Sequence, residues 1–461
     1  MSCDLSATGP AQIQPVPPEG IVSGGSGYFG GMERLHAVDA LRALALLGIL
    51  SVNIWYFAFP ENLVGGGRSA GLSETGSGDD AGAFAAADQW VAFAATAVFE
   101  GKSYVIFSFL FGLAFVLQWS SAHRAGVSEV SRSQRRFTGL VVLGLLHGVF
   151  LFVGDILLAY AVLGFALLGL RRISTRAALL LAAGLWVVVA LALLGLGALT
   201  WWLESAPLMD GAAMSPESME SSGLIMASEE ARAAYTGSLG SYLAFQLDAY
   251  ALVAPSMLLV QGPIAFAAFL LGLVLGRLRM LERILAGEIA TARLVSVMLP
   301  ALAVGGGLSV TAAWMVWGGE PGAGGLGAET LSAGLIFLAG PVQATGYVLA
   351  ALLVMRHRGF SWLVRLLAPA GRMSLSNYLG QSLVLALIFS ALGAPLGLGL
   401  AGQLSASQVG GVVVVLWLGQ LGISHLWLRF FDRGPMEAPL RAWTYAVKPL
   451  HVKPAQDHPS A

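Results

Sequence analysis

Apolar residues in this chain fall in long unbroken blocks, at about 39–59, 103–121, 136–153, 155–171, 178–202, 250–276, 291–317, 330–355, 373–393 and 409–431. A helix on a soluble protein would carry a polar face along its length, and a barrel strand would alternate apolar and polar positions. The blocks show neither pattern. Each has roughly the 20 residues that carry a helix across a bilayer, and lipid admits only helices and closed barrels. The pattern predicts an all-α, polytopic integral membrane protein with about ten transmembrane helices.

The polar stretches between blocks set the organisation. Residues 1–31 are rich in Gly, Pro and Ser and read as a disordered tail. Met32 directly precedes the first block, so translation could start at Met1 or Met32. The block after it is too long for a signal-peptide core and lacks a small-residue cleavage site. The transmembrane domain is expected over 32–446, with outward loops near 60–87 and 203–249, the second holding a short amphipathic helix. Residues 447–461 read as a C-terminal tail.

Composition agrees: 56% of residues are hydrophobic and 11% charged, against about 25% charged in soluble domains. Net charge is −1, which leaves no basic field for nucleic acid. The single cysteine, Cys3, provides neither a disulfide nor a thiolate-rich zinc site. With ten spans and the N-terminus inside, only Arg68, Lys102 and Arg232 of the 25 Lys and Arg residues fall outside. By the positive-inside rule both termini are cytoplasmic, in a multi-pass protein of the cytoplasmic (inner) membrane.

Ionisable groups inside spans are costly and mark candidate function. In RLHAVDALRALALLGILSVN, Asp39 and Arg42 share a helical face, and Asn53 lies three turns further along nearly the same face. This polar line is either a helix start with positive-inside arginine or an entrance for a phosphorylated or CoA-linked substrate. In FEGKSYVIFSFLFG, Glu100 and Lys102 enter a span from its outer end. They are either an interfacial pair or site residues. The Gly-Lys-Ser there lacks the glycine and the strand of a phosphate-binding loop.

In LLHGVFLFVGDILLAY, His147 lies deep in an apolar run and Asp155 follows Gly154 where two spans meet. His147 is either a satisfied core histidine or a proton acceptor that Asp155 orients. In PAGRMSLSNYLGQS, Ser374, Asn377, Tyr378 and Gln381 share a helical face. They are either interhelical glue or, with Arg372 and Ser376, substrate contacts. Two G-x-G-x-x-G matches, at Gly322 and Gly397, lie in outward loops with no strand-turn-helix context. No metal-ligand spacing is present.

These motifs, in this order and with the terminal FFDRGPMEAPLRAWTY, resemble the YeiB-like membrane family, also described as domain of unknown function 418, from about Arg34 to Tyr445. The first motif is also similar to the opening helix of heparan-α-glucosaminide N-acetyltransferase relatives and, more distantly, of the acyltransferase-3 family. That resemblance implies a multi-helix enzyme moving acyl groups from cytoplasmic acyl-CoA to acceptors at the opposite face. It places Arg42 near the donor entrance. The acyltransferase-3 proteins carry a functional histidine eleven residues after this arginine; here that residue is Asn53, which cannot act as a base.

The expected function is therefore acyl transfer from an acyl-CoA co-substrate, with no resident cofactor, to a sugar, lipid or small-molecule acceptor. Arg42 and Arg372 would hold donor phosphates, and His147 or Glu100 would take the acceptor proton. Asn53 and Asn377 would steady the carbonyl oxygen. The rival readings are a transporter or exporter of a small amphipathic molecule, and a non-catalytic membrane scaffold.

Overall fold

The computed structural model describes residues 26–63, 81–206, 228–319, 325–396 and 398–446. The tail up to residue 25, Arg68, most of both outward loops, Gly322 and Gly397 of the glycine matches, and the tail from 447 lie outside the described residues. Everything described is helical or connecting, with no β-strand among the described residues.

The helices in order are α1 (Ser26–Ala58), α2 (Ala81–Ala94), α3 (Ser103–Arg124), α4 (Glu129–Phe150), α5 (Leu157–Gly169), α6 (Thr175–Ser205), α7 (Ser228–Thr236) and α8 (Leu239–Arg277). They continue with α9 (Met280–Leu285), α10 (Thr291–Trp317), α11 (Gly325–Arg356), α12 (Ser361–Arg372), α13 (Ser374–Phe389), α14 (Ala406–Phe430) and α15 (Glu437–Tyr445). Every apolar block falls on a helix, and the chain is a multi-pass membrane protein. Seven helical segments among the described residues are long and apolar enough to cross a bilayer unaided. The blocks at 136–153, 155–171 and 373–393 correspond to α4, which starts with charges, and to the short helices α5 and α13.

Thirteen residues of α5 reach only about 20 Å, less than the roughly 30 Å hydrocarbon core. The break before it is tolerated because its backbone is satisfied inside the bundle. Tyr242 and Gln246 of α8 donate to the Leu151 carbonyl at 3.2 and 3.4 Å, and Asp155 caps α5 through the Leu157 and Leu158 N–H groups.

Some boundaries differ from the hydropathy reading. α1 starts at Ser26, inside the expected tail, and α2 starts at Ala81, inside the first expected loop. α7 is the short helix expected in the second loop, whereas α8 begins eleven residues ahead of its apolar block. There Ser238 and Ser241 form a reciprocal capping box that nucleates the helix in polar sequence.

α1 is the buried axis: Leu46, Leu50, Ile54 and Phe57 expose no surface. α6 and α10 lie at the periphery with Val188, Leu191, Leu299 and Val304 outward, as lipid-facing helices do. α3 and α8 cross at backbone contact. A Cβ on Gly112 would lie 2.2 Å from the Phe269 carbonyl oxygen, and one on Gly272 2.1 Å from that of Phe109. Small residues permit such approach between membrane helices, and Phe111 stacks on Phe269 beside it at 4.6 Å.

Candidate functional site

Two cavities lie back to back along α1. The first, about 410 Å³, occupies the arginine-rich end of the bundle. Arg42, Arg136, Arg372, Arg433 and Arg441 line it together with one carboxylate, Glu437. Its depth is apolar, formed by Phe107, Leu110, Phe111, Leu140 and Leu157. A cationic mouth over a greasy interior suits a ligand with an anionic head and an apolar end.

Local contacts hold these guanidinium groups apart without neutralising most of them. Arg42 pairs with Asp39 at 2.6 Å one turn earlier. Arg136 donates to the Gln118 side chain at 2.7 Å and lies over the Phe111 ring. Arg372 donates to the Asp432 carbonyl at 2.5 Å. Arg441 stacks on Tyr445, with Arg132 against the same ring. Burial first, and then the charges of Arg441 and Arg372, lower the Arg433 pKa from its usual value. An anion in the cavity would relieve that crowding.

α15 closes this end. The Glu437 carboxylate accepts from the Leu375 and Ser376 N–H groups at 2.7 and 3.1 Å and from the Ser376 hydroxyl, at the N-terminus of α13. Trp443 donates to the Arg135 carbonyl at 2.8 Å, fastening the other end of α15 to α4. Burial raises the Glu437 pKa above its ordinary value despite these hydrogen bonds.

The second cavity, about 190 Å³, lies toward the opposite end. Asn53, Tyr56, Asn62, Glu100, Tyr104 and Gln261 line it among aromatic rings. Glu100 is presented by a π-helical turn, Ala95–Phe99, that ends at Gly101. Gly101 has φ +78° and packs so closely that a Cβ would lie 2.5 Å from Ile336, so only glycine serves there. The turn leaves successive carbonyls without helical donors, and side chains supply them. Lys102 donates to Thr96 O at 3.0 Å, Gln343 to Ala97 O at 3.4 Å and Tyr347 to Val98 O at 3.1 Å.

Ile49, Ile156 and Tyr378 line both cavities and form the wall between them. The Tyr378 hydroxyl accepts from the Ile156 N–H at 3.4 Å. Behind Tyr378, with ring centroids 5.0 Å apart, lies His147. Its Nδ1 is 2.8 Å from Asp155 and its buried Nε2 has no hydrogen-bond partner among the described residues.

The residues singled out in the sequence thus separate into groups. Arg42 and Arg372 line the arginine cavity, and Asn53 and Glu100 line the far one. Asp39 supports Arg42, and Lys102, fully buried, clamps the π turn. His147 and Asp155 form a buried pair that lines neither cavity. Ser376 holds α15. Asn377 donates to Ala370 O and Ser424, and Gln381 to Gln420, tying α13 to α12 and α14. Arg136, Arg433 and Arg441 were not singled out. Their signal lay in the terminal FFDRGPMEAPLRAWTY and in arginines read only as topology markers. Among the described residues, no group of three or more His, Cys, Asp or Glu is placed to hold a metal ion.

Residues 275–447, which supply Arg372, α13 and α15, match the model of a family described as protein of unknown function (DUF418). The chain is 27% identical over 426 residues to uncharacterized protein YxaH of Bacillus subtilis (strain 168), covering 90% of this chain and 94% of that protein. It is also 27% identical over 410 residues to uncharacterized protein YeiB of Escherichia coli (strain K12), covering 88% and 95%. No solved structure matches the chain.

Proposed function

From the chain's similarity to the YeiB-like family of membrane proteins, we propose that it is a member of that family and a transmembrane acyltransferase. It takes an acyl group from a phosphate-bearing thioester of the acyl-CoA type at the arginine-rich, cytoplasmic end. It passes the group to a hydroxyl or amine in the opposite cavity. One observation carries this reading: a guanidinium-lined cavity with an apolar depth meets a carboxylate- and amide-lined cavity across three side chains.

Arg42, Arg372, Arg433 and Arg441 bind the donor phosphates, and the acyl chain lies among Phe107, Leu110 and Phe111. Displacement of Tyr378 brings the thioester carbonyl to the far cavity. Glu100 accepts the acceptor's proton as its oxygen or nitrogen bonds the carbonyl carbon. The carbon–sulfur bond breaks, and the thiolate leaves as the free thiol after taking up a proton. The Asn53 amide donates to the carbonyl oxygen as it gains charge. His147 and Asp155 support the wall from behind Tyr378.

Binding of acetyl-CoA and longer acyl-CoAs to the purified protein, by calorimetry or thermal shift, tests the donor site. Loss of an arginine fork in Arg42→Ala should weaken binding about tenfold or more. No binding of any CoA ester by folded protein would sink the assignment. Two cavities separated by a thin wall also suit alternating access, so a transporter is the second reading. Its mark would be solute movement in vesicles without thioester turnover.

A further inference from the structure

A third cavity, about 540 Å³, lies on the other side of α3 from the arginine cavity, among α3, α6, α8, α9, α10 and α11. Its lining is apolar apart from Trp186 and Thr345, and the hydrogen-bond donors of both are committed. Pro341 has no N–H to give the Phe337 carbonyl one turn back, and Trp186 Nε1 supplies that donor at 3.1 Å. Thr345 donates to the Pro341 carbonyl at 2.8 Å. With no free donor in its walls, the cavity offers nothing to a polar ligand or to water. Left empty, it would forfeit the dispersion contacts of its whole lining.

Position and charge identify the occupant. Along α11 the lining runs from Pro341 at mid-depth to Leu352 near the arginine-rich end. Eleven residues of helix rise about 17 Å, close to the depth of one leaflet's hydrocarbon. At that end α9 turns Leu281 and Ile284 inward and carries Arg283, with Arg279 directly before it. There α8 ends at Arg277 and α11 at Arg356, which donates to the Ile289 carbonyl just past α9. Glu282 and Glu288 pair with Arg279 and Arg283, so this rim keeps an excess of positive charge. We propose that the cavity holds one acyl chain of an anionic phospholipid from the leaflet at the arginine-rich end, its phosphate against this rim. The inference stands independently of acyl transfer.

The test is photolabelling of the full chain in nanodiscs of phosphatidylglycerol bearing a diazirine-tagged acyl chain, with phosphatidylcholine of the same chain as comparison. Adducts should concentrate on Phe109, Trp186 and Val348–Leu352, several-fold more with phosphatidylglycerol. Ala344→Phe, which fills the cavity, should remove them. Ala183→Phe, at an exposed lining position, does the same if Ala344→Phe fails to fold. Adducts on the outward faces of α6 and α10 equal to those inside, or unchanged in the folded filling variants, would mean a boundary lipid only and overturn the site. Equal labelling by both lipids would overturn the anionic headgroup.

Discussion

Asp155 Oδ1 and His147 Nδ1 lie 2.8 Å apart with neither side chain exposed, and the same carboxylate caps α5 through two backbone N–H groups. Asp155 therefore holds a ring and a helix end at once. Asp155→Ala should lower stability by about 3 kcal/mol, from a lost cap and a buried histidine left unpaired. Asp155→Asn, which keeps one acceptor oxygen, should cost about 1 kcal/mol. Denaturant unfolding in micelles would read both. Equal, small losses would mean that the pair is dispensable to the fold.

The wall at Tyr378 makes a second expectation. Tyr378→Ala removes the largest side chain shared by the two cavities and should join them. Vesicles holding the variant should then lose an entrapped small dye faster than wild type, several-fold or more. Tyr378→Phe keeps the ring and should stay tight, at a cost of about 1 kcal/mol for the lost acceptor of Ile156 N–H. A tight Tyr378→Ala protein would show that the wall is thicker than one ring.

At the α3–α8 crossing, any side chain at Gly112 must push the Phe269 carbonyl away. Gly112→Val should lose about 3 kcal/mol or more by overpacking, seen as a collapsed yield of monodisperse protein in size exclusion. Substitution at Gly306, where a Cβ meets nothing within 4 Å, should leave the yield unchanged.

Glu437 gives the fold a pH dependence of defined sign. Its pKa is raised in the folded protein, by burial above all, so the folded state binds more protons than the unfolded one near the usual carboxylate value of 4.5. Its contribution is greatest below that value and is lost as pH rises through the raised folded pKa. Glu437→Gln should flatten that part of the melting-temperature profile. A wild-type profile that rises through this window and stays the same in the variant would contradict the assignment.

The sequence made the membrane helices legible because hydropathy is a property of a segment alone. The block at 291–317 coincides with α10, and the junction at Gly154 is a break between α4 and α5. The site was only partly legible, because it depends on which neighbour a face meets. Periodicity placed Asn377, Tyr378 and Gln381 on one polar strip, yet two of them bind α12 and α14 while Tyr378 lines the cavities. Arg433 and Arg441 join Arg42 only because Glu437 carries α15 back across the bundle, a contact between residues some 60 positions apart.

That return of α15 also sets an order of assembly. Arg42 emerges early in synthesis, whereas Arg433 follows α14, and Arg441 and the Glu437 latch belong to α15. Every membrane-crossing helix can therefore be inserted while the arginine cavity still lacks one side. A chain halted between α14 and α15 would sit in the bilayer with its helices in place but with that pocket unfinished. The residues that follow α14 would then act as a closing piece, fitted to a bundle already lodged in the bilayer.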